Sequence, residues 1–162
     1  PKGFIGYSQA AIFWNHLGYR CKGLLDRVLI NDTRKVIIFG DLKYTSFSVG
    51  YFRSAVKRYR YYRQLSFYRD GLQKIFPDYK IFPYLIPVTP KWGGEVRTLR
   101  LPDAWFELGR IEYESLMRNL IWAHQNDRFT YRREYYEGNG VEILHFEEDG
   151  HLIVEDASGE EN

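Results

Sequence analysis

Two extended segments joined by turn residues constrain this chain more than any other feature. Tyr19–Ile30 and Lys35–Tyr44 are separated by Asn31-Asp32-Thr33, and the second contains the apolar run Val36-Ile37-Ile38-Phe39. β-Branched and aromatic residues suit a pleated surface, while Asn, Asp and Thr favour turns, so the pair predicts an antiparallel hairpin. Each arm carries charge where a strand core should have none: Asp26 on the first, Asp41 and Lys43 on the second. Side chains alternate along a strand, which projects Asp41 and Lys43 to one face and turns Leu42 away. Two carboxylates and an ammonium gathered by a hairpin can hold a hard divalent cation and orient a water. The plainer reading of Asp41 and Lys43 is an exposed salt bridge at a strand end, which contributes only ~0–1 kcal/mol.

At 162 residues the chain is long enough for one domain with a real core, and 18% aromatic content argues against disorder. The single cysteine, Cys21, excludes a disulfide framework or a thiolate metal site. Without a long apolar span or a signal peptide, the expected setting is cytoplasmic, that of the host cell if the gene is carried by a phage. Charge is divided unevenly. All 23 Lys and Arg residues lie at or before Arg133, against 11 of the 21 acids, so residues 1–133 carry +12 and the last 29 carry −10. A body this basic favours a polyanionic partner. Residues 147–162 read as an acidic, flexible tail, either solubilising or a mimic of a polyanion that shields the basic body.

Elsewhere, residues 9–15 read as a strand or the end of a helix, since periodicity cannot decide over so short a stretch. A Ser-rich loop follows Thr45, and one long helix is expected from Tyr51 to Ile75, with Tyr61, Leu65, Tyr68 and Leu72 as its core stripe. On that helix Arg53, Lys57, Arg60, Gln64 and Tyr68 share a second stripe, a row of cations leading to an amide and a phenol. Such a row suits a nucleic-acid backbone, with Thr45 as a further phosphate donor; the alternative is an ordinary solvated face. Pro83 and Pro87 make Tyr79–Val88 an edge strand or irregular, and Glu95–Leu101 reads as another strand. Pro102-Asp103 opens a second helix to about His124, with Trp105, Leu108, Ile111, Leu116, Leu120 and Ile121 as its apolar positions. A short strand is expected within Val141–Phe146.

Three segments carry a family resemblance. Lys22-Gly23-Leu24-Leu25-Asp26-Arg27 resembles a KGxxDR element, Gly40-Asp41-Leu42-Lys43-Tyr44-Thr45 resembles DLKTT, and Gln64 to Tyr68 fits QxxxY. In this order they are similar to the PD-(D/E)xK nuclease superfamily, within it the RecE-like and lambda-exonuclease-like branch related to RecB-type nuclease domains. The resemblance implies an α/β fold, a mixed α+β sheet flanked by helices with a restriction-endonuclease-like core, over residues 1–146. It implies a deoxyribonuclease using one or two Mg²⁺ or Mn²⁺ ions, most simply a phage-type exonuclease that resects duplex DNA for recombination. An endonuclease of the same fold, or an impaired DNA-binding protein, are the alternatives. Asp26, Asp41 and the Leu42 carbonyl would ligate metal, and Lys43 would position or help deprotonate the attacking water. DNA is the implied partner, together with a single-strand annealing protein and further copies of the chain in a ring.

One departure stands out. The family places a glutamate upstream of the first catalytic strand, yet no acid precedes Asp26, and Gln9 or a near neighbour occupies that place. A neutral amide weakens metal affinity relative to a carboxylate. An engineered change, a natural variant, or a ligand lost with a missing N-terminal segment are the three origins consistent with it.

Overall fold

The computed structural model describes residues 2–141 and the strand pair 145–146 and 152–153. The remainder of the expected acidic tail, and residues 142–144 of the expected strand, lie outside these, as does the side chain of Trp92. The predicted hairpin is present, and an additional long strand precedes it. β1 (Ile5–His16), β2 (Tyr19–Asn31), β3 (Val36–Tyr44), β4 (Lys80–Thr89) and β5 (Glu95–Val96) form one sheet in that order. β3 and β4 are parallel and every other neighbouring pair is antiparallel. A parallel pair needs a crossover, here made by α1 (Phe52–Arg58) and α2 (Tyr61–Ile75). The result is the mixed, helix-flanked α+β architecture expected.

Residues 9–15 resolve as strand. Ile12, Trp14 and His16 are buried between exposed neighbours, a period of two. Leu17 and Gly18, both with positive φ, make the tight turn into β2. Ile37 and Phe39 of β3, Leu25 of β2, and Leu65 and Leu72 of α2 are buried in the core. Two glycines let α2 approach the sheet: a Cβ on Gly71 would sit 2.8 Å from the Trp14 ring, and one on Gly23 2.8 Å from the Tyr68 ring.

Three expectations need correction. The helix from Tyr51 to Ile75 is broken. A 3₁₀ turn spans Val49–Tyr51, α1 ends at Arg58, and Arg60 adopts φ 52°, ψ 42° before α2 begins. A left-handed residue after a helix normally announces itself as Gly or Asn, so an arginine there gives no signal. β4 is a regular ten-residue strand despite its prolines. Leu85 donates to Leu99 while Lys80 donates to Lys35, so odd-numbered residues direct their N–H away from β3. Pro83 and Pro87 share that parity, and the missing donors fall on the outer side, where β5 pairs over only two residues and Leu85–Leu99 adds an isolated bridge. The strand expected over Glu95–Leu101 is shortened for the same reason.

The third correction concerns α3 (Asp103–Asn126). Its buried residues are Phe106, Gly109 and Tyr113, whereas Leu108, Ile111, Leu116 and Leu120 are exposed. Counting apolar residues selects the wrong face, because the contact with α2 is built from a glycine and polar groups. Ser66 Oγ, fully buried, lies within bonding distance of the Tyr62 and Phe106 carbonyls (2.8 and 2.9 Å), its one proton shared between them. Asp70 accepts from Arg110 Nε (2.8 Å), Arg110 Nη2 (3.0 Å) and Tyr113 Oη (2.7 Å). Burial pushes the Asp70 carboxyl up, but those bonds and the Arg110 charge outweigh it and hold it below the usual range. Tyr62 Oη donates to Glu112 at 2.6 Å; burial and that carboxylate push the phenol up to about 12.

The chain divides into two compact units, residues 1–114 and 115–162. The second contains the end of α3, α4 (Arg133–Glu137) and the short pair β6 (His145–Phe146) and β7 (Leu152–Ile153). There Arg128 lies over the Tyr136 ring at 5.0 Å, and Arg133 pairs with Glu137 at 2.6 Å. Arg128 and Arg133 are thus used in local packing.

Candidate metal centre and nucleic-acid interface

The ladder between β2 and β3 ends at Arg27–Gly40. Past that pair the Asp26 side chain takes over: its Oδ2 accepts from the Leu42 backbone N–H at 2.8 Å. A carboxylate thus replaces a strand partner and is carried to Asp41. On the other side, the Gln9–Asp26 pair is missing from an otherwise continuous β1–β2 register. Gln9 sits there at φ 52°, and its Nε2 donates to Asp26 Oδ1 at 3.0 Å. A non-glycine in the left-handed region within a strand is strained by roughly 1–2 kcal/mol, and such strain persists at functional sites. The residue expected in place of the family's glutamate therefore touches Asp26 directly.

Asp41 and Lys43 share the α2-facing side of β3, with Leu42 exposed on the other, as alternation predicts. Lys43 Nζ lies 2.6 Å from Asp41 Oδ2 without the alignment of a hydrogen bond, and Asp41 is 4% exposed. Burial pushes the Asp41 carboxyl above the ordinary carboxylate range; Lys43 opposes the shift and the charge of Asp26 adds to it. Lys43 also donates to Gln64 Oε1 at 2.9 Å, and Gln64 Nε2 donates to Tyr68 Oη at 3.2 Å. Gln64 and Tyr68, one turn apart on α2, thus form a relay that aims the ammonium. Tyr61 completes the setting, its ring 4.8 Å below Nζ. Periodicity alone assigns Tyr61 to the core stripe; its spacing of three from Gln64 is the signal that sets it beside the site.

The donor set fits a hard divalent cation. Asp41 Oδ2 is a buried carboxylate oxygen facing the Lys43 ammonium at 2.6 Å, a place where positive charge is already favoured; the Asp26 charge acts on it, and Gln9 could add a neutral amide oxygen. All are oxygens, but among the described residues no three His, Cys, Asp or Glu side chains cluster. A cation held by Asp26 and Asp41 would thus meet two carboxylates, a ligand charge of −2.

The cationic stripe is not brought together as a single row. Arg53 and Lys57 are exposed on α1, while Arg60, at the elbow, pairs with Glu112 at 3.1 Å. Thr45 follows β3 directly, its N–H bound to the Val88 carbonyl and its Oγ1 accepting from Phe47 N–H.

Comparison places the fold among known structures. A crystal structure of a "putative exonuclease" from Eubacterium rectale matches with a TM-score of 0.61 at 18% identity, over 82% of this chain and 50% of that one. The fold is shared with that protein, and this chain spans about half its length. A second structure, SSO0001, matches with a TM-score of 0.40 at 18% identity, over 69% of this chain and 49% of that one. No family model matches the chain, and no curated protein matches it. No helix among the described residues is long and apolar enough to cross a membrane.

Proposed function

We propose that this chain is a metal-dependent nuclease acting on DNA, with exonucleolytic cutting of linear duplex as its reaction. The observation that carries the reading is the convergence of Asp26, Asp41 and Lys43 where the ladder between the central strands β2 and β3 ends, with Lys43 held by Gln64 and Tyr68. The likeness in fold to a protein called an exonuclease supports the same class. A divalent cation held by Asp26 and Asp41, Mg²⁺ or Mn²⁺, would supply a Lewis acid at the scissile phosphate. The chain's own part is positioning. Lys43 has three N–H donors; Gln64 takes one, and the ion pair with Asp41 holds the ammonium in place while donors remain for a phosphate oxygen or the attacking water. The Leu42 N–H locks the orientation of Asp26. Arg53, Lys57 and Thr45 would contact the phosphate backbone, which carries no sequence information. A single-strand annealing partner and a ring of subunits belong to this proposal through the family resemblance alone.

One observation favours a second reading, a DNA-binding protein with weakened catalysis: the residue touching Asp26 is an amide where the family has a carboxylate. Incubating linear and covalently closed circular DNA with Mg²⁺, Mn²⁺ or EDTA separates the possibilities. Loss of the linear form alone, only with metal, is the expected result. Cutting of the circle would mean an endonuclease, and binding without cutting the weakened protein. Cleavage in EDTA would remove the metal from the reaction.

A further inference from the structure

Tyr61, the ring under the Lys43 ammonium, also lines a pocket of about 320 Å³ whose other residues, Thr45 apart, the chemistry above does not use. The end of β3, the following loop and α1 line it, and its rings are unusually exposed: Tyr44 69%, Phe47 71%, Tyr51 77% and Tyr59 58%. One exposed aromatic needs no explanation, but four around one pocket do. Their arrangement is graded. Phe52, buried, stacks on Tyr61 with centroids 5.7 Å apart and planes 14° apart; Tyr61 meets Tyr59 at 5.6 Å; Arg58 lies over Tyr59 at 5.6 Å. The series begins at the buried Phe52, passes through the Tyr61 ring under Lys43 and ends at an exposed ring with a cation above it. Thr45, Ser46 and Ser54 add hydroxyls to the same wall.

We infer that this pocket stacks the unpaired bases of a DNA end whose phosphate lies at Lys43. The inference rests on the nuclease reading and names the part of the substrate that the metal centre leaves unheld. Aromatic faces accept any base, and the guanidinium of Arg58 suits the adjoining phosphate, so recognition is independent of sequence. Continuity decides the occupant: Tyr61 belongs to both places, being under Lys43 and in the pocket lining.

The test measures binding of the chain, in EDTA, to a fluorescent oligothymidylate and to an abasic strand of equal length and charge. Wild type should prefer the strand with bases. The double variant Phe47→Ala/Tyr51→Ala should lose that preference, weakening oligothymidylate binding by roughly five- to hundredfold while leaving the abasic strand unchanged. Phe47→Tyr/Tyr51→Phe, which keeps the rings, should restore it. Equal binding of both strands by wild type, or an unchanged double variant, would overturn the proposal. So would loss of self-association in the variant at unchanged oligonucleotide affinity, which would assign the rings to a subunit contact. Cleavage of the same strand with Mn²⁺ is read separately: base preference without cleavage spares the pocket and sinks the nuclease reading, and cleavage without base preference does the reverse.

Discussion

Replacing Gln9 by Glu tests the centre most directly, because it turns one partner of a single contact from a donor into a like charge. In the native chain Gln9 Nε2 donates to Asp26 Oδ1 at 3.0 Å. Gln9→Glu removes that donor and sets a second carboxylate against the first. A hydrogen bond to a charged group contributes about 1.5–3 kcal/mol when sheltered, and the exposure of Gln9 reduces this to about 1. Two like charges 3.0 Å apart repel by about 1.4 kcal/mol under water-like screening. Because the new side chain can swing away, the expected metal-free loss is about 1–2 kcal/mol. A cation reverses the sign, since a third carboxylate raises the ligand charge from −2 to −3 and a bound ligand stabilises by about 2.7 kcal/mol at a hundred times its Kd. The assay is urea unfolding followed by tryptophan fluorescence, in EDTA and across a Mn²⁺ titration, with Gln9→Ala as control. The glutamate variant should be less stable than Gln9→Ala in EDTA, more stable than wild type at millimolar Mn²⁺, and faster in cleavage. Equal stability in EDTA together with an unchanged Mn²⁺ midpoint would refute the placement of residue 9 at the metal.

The other predictions address the site and its support. Asp41→Ala and Lys43→Ala should each lower the cleavage rate by roughly a hundredfold or more, with far-ultraviolet circular dichroism unchanged; wild-type rates at saturating metal would remove them from the mechanism. Gly109→Ala places a Cβ 2.8 Å from the Tyr62 carbonyl oxygen and closer still to Ser66 Oγ, and should cost about 1–3 kcal/mol in urea unfolding. A neutral effect would mean that α2 and α3 can separate freely. Asp70, depressed in the fold, contributes stability that is present above the ordinary aspartate range and lost as pH falls through its folded value. Asp70→Asn should therefore be less stable than wild type at neutral pH, and the gap should close in acid. A gap that widened in acid would have the wrong sign for a depressed carboxyl.

Much of the centre was legible because it is local. Alternation alone puts Asp41 and Lys43 on one face and Leu42 on the other, and a four-residue spacing alone puts Gln64 beside Tyr68. Turn residues between two β-branched runs suffice for the hairpin that carries Asp26 towards Asp41. These relations follow from backbone geometry, and no distant contact has to be known.

What tertiary structure decided is where local preference was overruled or silent. Arg60 and Gln9 occupy left-handed conformations that neither residue favours; Arg60 is tied to Glu112 and Gln9 to Asp26, partners far away in sequence. Those two choices break the long helix, divide its cationic stripe, and bring an amide to the Asp26 carboxylate. Likewise α3 buries Gly109 and Tyr113 in preference to its leucines, because α2 offers Ser66 and Asp70 as partners there. A periodic pattern says which residues can share a face, but the free energy of pairing buried polar groups chooses which face is used.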